Sequence, residues 1–187
     1  MRSERAALAA ALLALAGCAH PPPAGTASPP PSPAAFATPT PVPVHVYGVG
    51  SARRPTVLTE TKNNRRRFTV RALVMEGNLI GNDGVGVFSQ PHVTFVDKTG
   101  SITIADAPKA TVQQRDNSID MTGGVHARTA DGGILTSDNL RYDANRERLY
   151  GEGHVVLTSP NGLQLRGDHL DGDVRLHDVR VTSGDQR

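Results

Sequence analysis

At 187 residues the chain has room for one domain, and 37% apolar with 4% aromatic, no Trp and four Phe is a thin supply for a compact core. That composition favours an elongated sheet protein filled with Val, Ile and Leu over a globular enzyme. The formal charge of +2 makes no demand for a polyanion, so nucleic acid is not an expected partner.

The chain opens on a targeting segment. Arg2 and Arg5 precede an apolar run at 6–16, too short for a bilayer span of roughly 20 residues, and Leu15-Ala16-Gly17-Cys18 follows. Those four residues match the lipobox of bacterial lipoproteins. The match implies removal of 1–17 and lipidation of Cys18, the sole cysteine, which leaves none for an internal disulfide. From 18 to 55 the sequence predicts a disordered Pro/Ala-rich linker. Ten of its prolines lie between Pro21 and Pro43, where missing donors favour extended polyproline II, and such a tether reaches on the order of 100 Å. A dense basic group, Lys62 with Arg65, Arg66 and Arg67, comes next. It reads either as charge guarding an edge strand or as a contact for phosphate groups.

The folded domain is expected over 56–187. Short alternating segments are predicted as strands at 68–75, 84–88, 92–96, 101–105, 110–113, 118–121, 125–128, 134–137, 140–142, 148–150, 154–157, 163–166, 174–176 and 179–181. Between them stand turn formers such as Asp97-Lys98-Thr99-Gly100, Ser137-Asp138-Asn139, Gly151-Glu152-Gly153 and Pro160-Asn161-Gly162, with no helical period. A loose repeat places Asp138 over Asp106 and Asp168, with strands on both sides each time. The fold class is therefore all-β, an antiparallel sheet of about fourteen strands folded over into two facing layers. Val70, Val93, Phe95, Ile102, Ile104, Val112, Ile119, Met121, Val125, Ile134, Leu140, Tyr142, Leu149, Val155, Leu157, Leu163, Leu165 and Leu170 are expected to face inward. Closed layers make these a plain core; splayed layers make all but Leu170 the lipid-binding lining of an apolar groove.

No catalytic motif is found: the chain has neither a Gly-x-Ser-x-Gly elbow nor a phosphate-binding Gly-x-x-x-x-Gly-Lys loop. His126, His154, His169 and His177 with Asp168, Asp171, Asp173 and Asp178 show no recognised metal spacing, so no metal and no cofactor is expected.

The order of features in 87–100 (VFSQPHVTFVDKTG), 104–112 (IADAPKATV), 119–125 (IDMTGGV), 135–143 (LTSDNLRYD) and 149–157 (LYGEGHVVL) resembles the LptC family. Members are periplasmic components of the lipopolysaccharide export transporter, similar to the LptA/OstA-like β-jellyroll proteins. The resemblance covers about 67–182. It implies a V-shaped β-jellyroll, a non-enzymatic lipid-transfer role and lipid A acyl chains held in the interior. As partners it implies lipopolysaccharide, the Lpt ABC transporter complex at an N-terminal edge around 68–74 and an LptA-like jellyroll at a C-terminal edge around 179–182. Such proteins usually carry an N-terminal transmembrane helix, whereas this chain carries a lipobox, so the expected location is the periplasm with membrane attachment through Cys18. The family points to the inner membrane; Ala19 after the Cys leaves the outer membrane open. The alternative is a structural or assembly envelope lipoprotein with a closed β core and no lipid cargo.

Overall fold

The computed structural model describes residues 43–80 and 83–184. The leader, Cys18, most of the linker and residues 81–82 and 185–187 lie outside the described residues. The described part is all-β: β1 (Val44–Val49), β2 (Thr56–Lys62), β3 (Arg65–Ala72), β4 (Val74–Ile80), β5 (Asp83–Ser89), β6 (His92–Val96), β7 (Ile102–Asp106), β8 (Lys109–Gln113), β9 (Ser118–Thr129), β10 (Ile134–Asp143), β11 (Arg148–Thr158), β12 (Gln164–Asp173) and β13 (Val179–Thr182). All pairings are antiparallel, in the order β1-β4-β5-β8-β9-β10-β11-β12-β13, with β2-β3-β6-β7 joining from the side at β9.

That branching defines two half-sheets sharing one crease. β8 pairs with 118–122 of β9 while β7 pairs with 126–129, so the same strand serves both layers. β10, β11 and β12 cross in the same way, each shifting register at the crossing. Gly123 and Gly124 at φ 93°, and Gly153 and His154 at φ 73° and 45°, mark the bends in β9 and β11; positive φ suits glycine, and an extra residue on one strand bends it. N-terminal to β9 the strands are interrupted instead. Leu73 separates β3 from β4, Gln90-Pro91 separates β5 from β6, and Ala107-Pro108 separates β7 from β8. Proline cannot donate to a ladder. Gln90 N–H donates to the Pro108 carbonyl and Gly50 N–H to that of Leu73, so the crease keeps its own bonds.

Four corrections to the sequence reading follow. Ser137-Asp138-Asn139 and 151–154 are bulges inside long strands, not turns, because Gly and Asp signal both. The predicted strands at 118–121 and 125–128, 134–137 and 140–142, and 148–150 and 154–157 are thus single strands. The segment 174–176 is part of a turn, and 68–75 spans the break between β3 and β4. The sheet begins at Val44, inside the stretch read as linker, where Val44-His45-Val46-Tyr47 alternates as a strand. The repeat survives in another form: Asp106, Asp138 and Asp168 all lie at the crease.

Turns follow local chemistry. Asn63 and Asn64 both take positive φ between β2 and β3, the requirement of a two-residue hairpin turn. Asp97 accepts from Thr99 N–H at 2.7 Å and Ser101 N–H at 2.8 Å, closing the β6–β7 turn.

The inward faces meet between the layers. Phe95 of β6 packs on Tyr142 of β10 with centroids 4.6 Å apart, and Phe68 of β3 meets the same ring edge-on at 6.2 Å. Phe88, Ile119, Met121, Leu135, Leu140 and Leu149 complete a buried core.

Candidate functional site

Two devices position the interior. The first is a set of polar contacts that lace the layers together along the rim away from the crease. Arg65 and Arg67 of β3 both donate to Glu147 in the β10–β11 turn, and Arg67 also donates to the Ala144 carbonyl. Lys62 donates to Asn145 at 3.2 Å. Farther along, Arg175 pairs with Asp97 at 3.3 Å, His177 meets Asp131, and Thr103 donates to the Val174 carbonyl. Burial opposes ionisation of Asp97, yet hydrogen bonds from Thr99 and Ser101 and the charge of Arg175 hold its carboxyl below the ordinary value. Asp131 is drawn down to about 2 by its bonds with His177 and Thr129. The basic group at 62–67 is therefore split by the structure: Arg65 and Arg67 hold the layers, Lys62 reaches the same turn from an exposed position, and Arg66 is exposed on the outer face.

The second device is the opening at the other end. Between β1, β4, β5 and β8 on one side and β2 and β3 on the other lies a cleft of about 290 Å³, lined mostly by apolar groups: Val46, Leu58, Phe68, Met75, Leu79, Val85, Phe88 and Val112, with Glu60 and Gln114 as polar members. It is about twice the size of an apolar cavity that holds benzene, and at the small end of ligand sites. A larger depression of about 580 Å³ lies over the backs of β9–β11, on the outer face, where Asp120, Asn139, Arg141 and Glu152 stand with Tyr150.

The structure sorts the predicted lining residues into three groups. Val70, Val93, Phe95, Ile119, Met121, Val125, Leu140, Tyr142, Leu149, Val155 and Leu157 are buried in the packed core, and Val112 both joins that core and touches the cleft. Ile102, Ile104 and Ile134 face outward: the inward residues are Thr103, Ala105 and Leu135, a one-residue error of phase that flips a side chain across the pleat. Leu165 stands opposite Leu157 on the inner face, yet is 38% exposed against 3% because among the described residues no strand covers that half of β12; Leu163, just before β12, is exposed as well. Reasoning from sequence missed Val46, Leu58, Met75, Leu79, Val85 and Phe88 as lining residues. The alternation of Val44, Val46 and Gly48 against His45, Tyr47 and Val49 was the available signal for the first of these.

The expected N-terminal edge also moves. Phe68–Ala72 is covered by β2 on one side and β6 on the other, so the free edges at that end are β1 and β2. At the far end β13 borders one layer and 164–167 of β12 the other.

A family model described as lipopolysaccharide-assembly, LptC-related matches residues 76–184, more than half of the chain. The chain belongs to the LptC family. The LptC family is a component of lipopolysaccharide transport, and membership associates this chain with that process at the periplasmic envelope. The all-β antiparallel fold agrees with the jellyroll-like architecture of LptC proteins. No curated protein sequence matches the chain. Among the described residues no helix of this LptC member is long and apolar enough to cross a membrane, and no group of three His, Cys, Asp or Glu side chains is placed to hold a metal.

Proposed function

We propose that this LptC protein is a non-enzymatic lipid carrier whose cleft between the half-sheets receives acyl chains of lipopolysaccharide from an inner-membrane ABC transporter. The cargo then passes to a neighbouring LptA-like jellyroll. The observation that carries this reading is the apolar cleft beside the free strands β1 and β2. Exposed ladder edges add strands from a partner, so β1 and β2 suit the transporter side and β12 with β13 suits the downstream jellyroll. At about 290 Å³ the cleft admits the end of an acyl chain rather than a whole lipid. Full entry requires β1 and β2 to swing outward, and among the described residues each of these strands is paired on one side only. Lipidated Cys18 holds the domain to the envelope, with the inner membrane favoured by family.

One observation favours the alternative, a structural lipoprotein with no cargo: from β9 onward the interior is filled, with Ile119, Tyr142 and Leu149 fully buried. Photocrosslinking in living cells separates the two. A photoreactive residue at Leu58 or Met75 is expected to capture lipopolysaccharide in a transporter-dependent way, while Thr94 and Arg141 on outer faces capture none. Absence of product at Leu58 and Met75, with folded protein present, selects the closed-core reading. Mass spectrometry of the N-terminal peptide reads the lipidation of Cys18 independently.

A further inference from the structure

The β1–β2 connection, residues 50–55, is a tight turn at the end of the crease. Gly50 N–H bonds the Leu73 carbonyl, and Ser51 and Arg54 bridge each other through their backbones. Arg53 and Arg54 project from it into solvent. On one flank the outer row of the first half-sheet runs Val49, Val74, Ser89, Lys109; on the other flank the row runs Val57, Arg71, His92, Asp106. Val49 is 67% exposed and Tyr47, two residues away on the same face, 71%; Val57 is exposed too. Exposed apolar side chains gathered beside one another, unlike ones scattered singly, mark an interaction surface.

The charges are one-sided. Arg53, Arg54, Arg71 and Lys109 make no ion pair among the described residues. The carboxylate nearest in this band, Asp106, is taken by His92 at 2.7 Å. Glu76 stands in the next row back, beside Tyr47. The result is a cationic tip with apolar and aromatic side chains at its base. Arginine for anionic headgroups, with Val and Tyr to enter the interface, is the combination by which proteins lie on membranes. The chain outside the described residues, which carries the apolar run at 6–16 and Cys18, joins β1 at Val44, the end of that strand away from the tip.

We propose that this end of the crease docks on the anionic surface of the bilayer, through Arg53, Arg54 and Arg71 with Val49, Tyr47 and Val57. The docking sets the domain's orientation, with the β1 and β2 edges brought toward the membrane. It draws on the lipidation reading only for the closeness of a membrane, and the contact itself is tested without the lipid.

The full chain carrying Cys18→Ser is mixed with vesicles of phosphatidylcholine alone, and with vesicles containing about a third phosphatidylglycerol. Sedimentation on the neutral vesicles measures what the leader and linker contribute, and the difference is the reading. Each Arg near an anionic surface strengthens binding roughly fivefold, so R53Q/R54Q is expected to weaken the anionic increment by about 30-fold. Added salt is expected to do the same by screening. Val49→Ser weakens it less, and Arg66→Gln, exposed on β3 beside the distant β2–β3 turn, leaves it unchanged. The proposal fails if there is no anionic increment, if R53Q/R54Q retains it, or if Arg66→Gln loses as much, since that marks a diffuse charge effect. An unmodified Cys18 in cells leaves these outcomes as they stand.

Discussion

Glu147→Ala tests whether the rim contacts hold the half-sheets together. The Glu147 carboxylate receives both Arg65 and Arg67, and the Arg67 and Glu147 side chains are 9% and 18% exposed. Breaking a fully buried pair costs roughly 3–5 kcal/mol, because the remaining charge is stranded. Arg65 is about a third exposed and water reaches it, so a cost of about 2–4 kcal/mol is expected here. With a urea m-value of about 2 kcal/mol/M, the unfolding midpoint falls by about 1–2 M. Asp83→Ala provides the contrast: it removes an equally well-formed pair with Arg115, but one standing in solvent, and is expected to shift the midpoint by less than about 0.5 M. Replacing the whole group, as R65M/R67M/E147L, is expected to recover most of the loss, since apolar side chains satisfy the same space. A Glu147→Ala midpoint no lower than that of Asp83→Ala refutes the reasoning.

Three further outcomes are expected. Burial pushes the Tyr142 hydroxyl up to about 12; the stability this provides is fully present below the unfolded value of about 10 and is lost as pH rises through about 12, on the order of 2–3 kcal/mol. Absorbance titration should show that tyrosinate forming only on unfolding, and Tyr142→Phe should be neutral or stabilising by about 1 kcal/mol because the hydroxyl is buried without a hydrogen-bond partner among the described residues. Asp131, held near 2 first by its bond with His177, supports the fold above the ordinary carboxylate range, and that support is lost as pH falls through about 2; carboxyl NMR should find His177→Gln returning it upward. Gly153→Ala combines positive φ with a methyl 2.9 Å from the Asp138 Cβ, whereas Gly124→Ala meets positive φ in open space. Thermal melts should therefore show Gly124→Ala costing about 1–2 kcal/mol and Gly153→Ala clearly more.

The all-β class and most hairpins were legible because Asn, Asp and Gly announce reversals and Val, Ile and Thr fill what lies between. The crease was not legible. A Gly or Asp inside a bulge has the same local signature as one inside a turn, and only the partner strand distinguishes them. Ile102, Ile104 and Ile134 were misassigned because β-branched side chains suit either face of a pleated strand, so their identity says strand but not inside. The cleft was missed for another reason. Part of its wall comes from β1, whose alternation follows directly on a proline-rich run and was read as part of it, and part from β2 at Thr56–Lys62, which was placed in the domain but not recognised as a strand. Arg65 and Arg67 could not be assigned at all from sequence, since their partner Glu147 lies some 80 residues away.

The same crease sets the order in which the molecule can be built. From β9 to β12 each strand pairs with the next one made, so this meander closes through short local loops. The earlier strands pair locally only two by two, as β2 with β3, β4 with β5 and β6 with β7, and their remaining partners come later: β1 waits for β4, β3 for β6, β5 for β8 and β7 for β9. Non-local pairing is slow, and synthesis delivers the N-terminal strands first. The strands made earliest are therefore the last to find a complete template, and β9, which receives both β7 and β8, is the seed on which they assemble. Pulsed hydrogen exchange during refolding should record that inversion, with amides of β9–β12 protected before those of β1–β5.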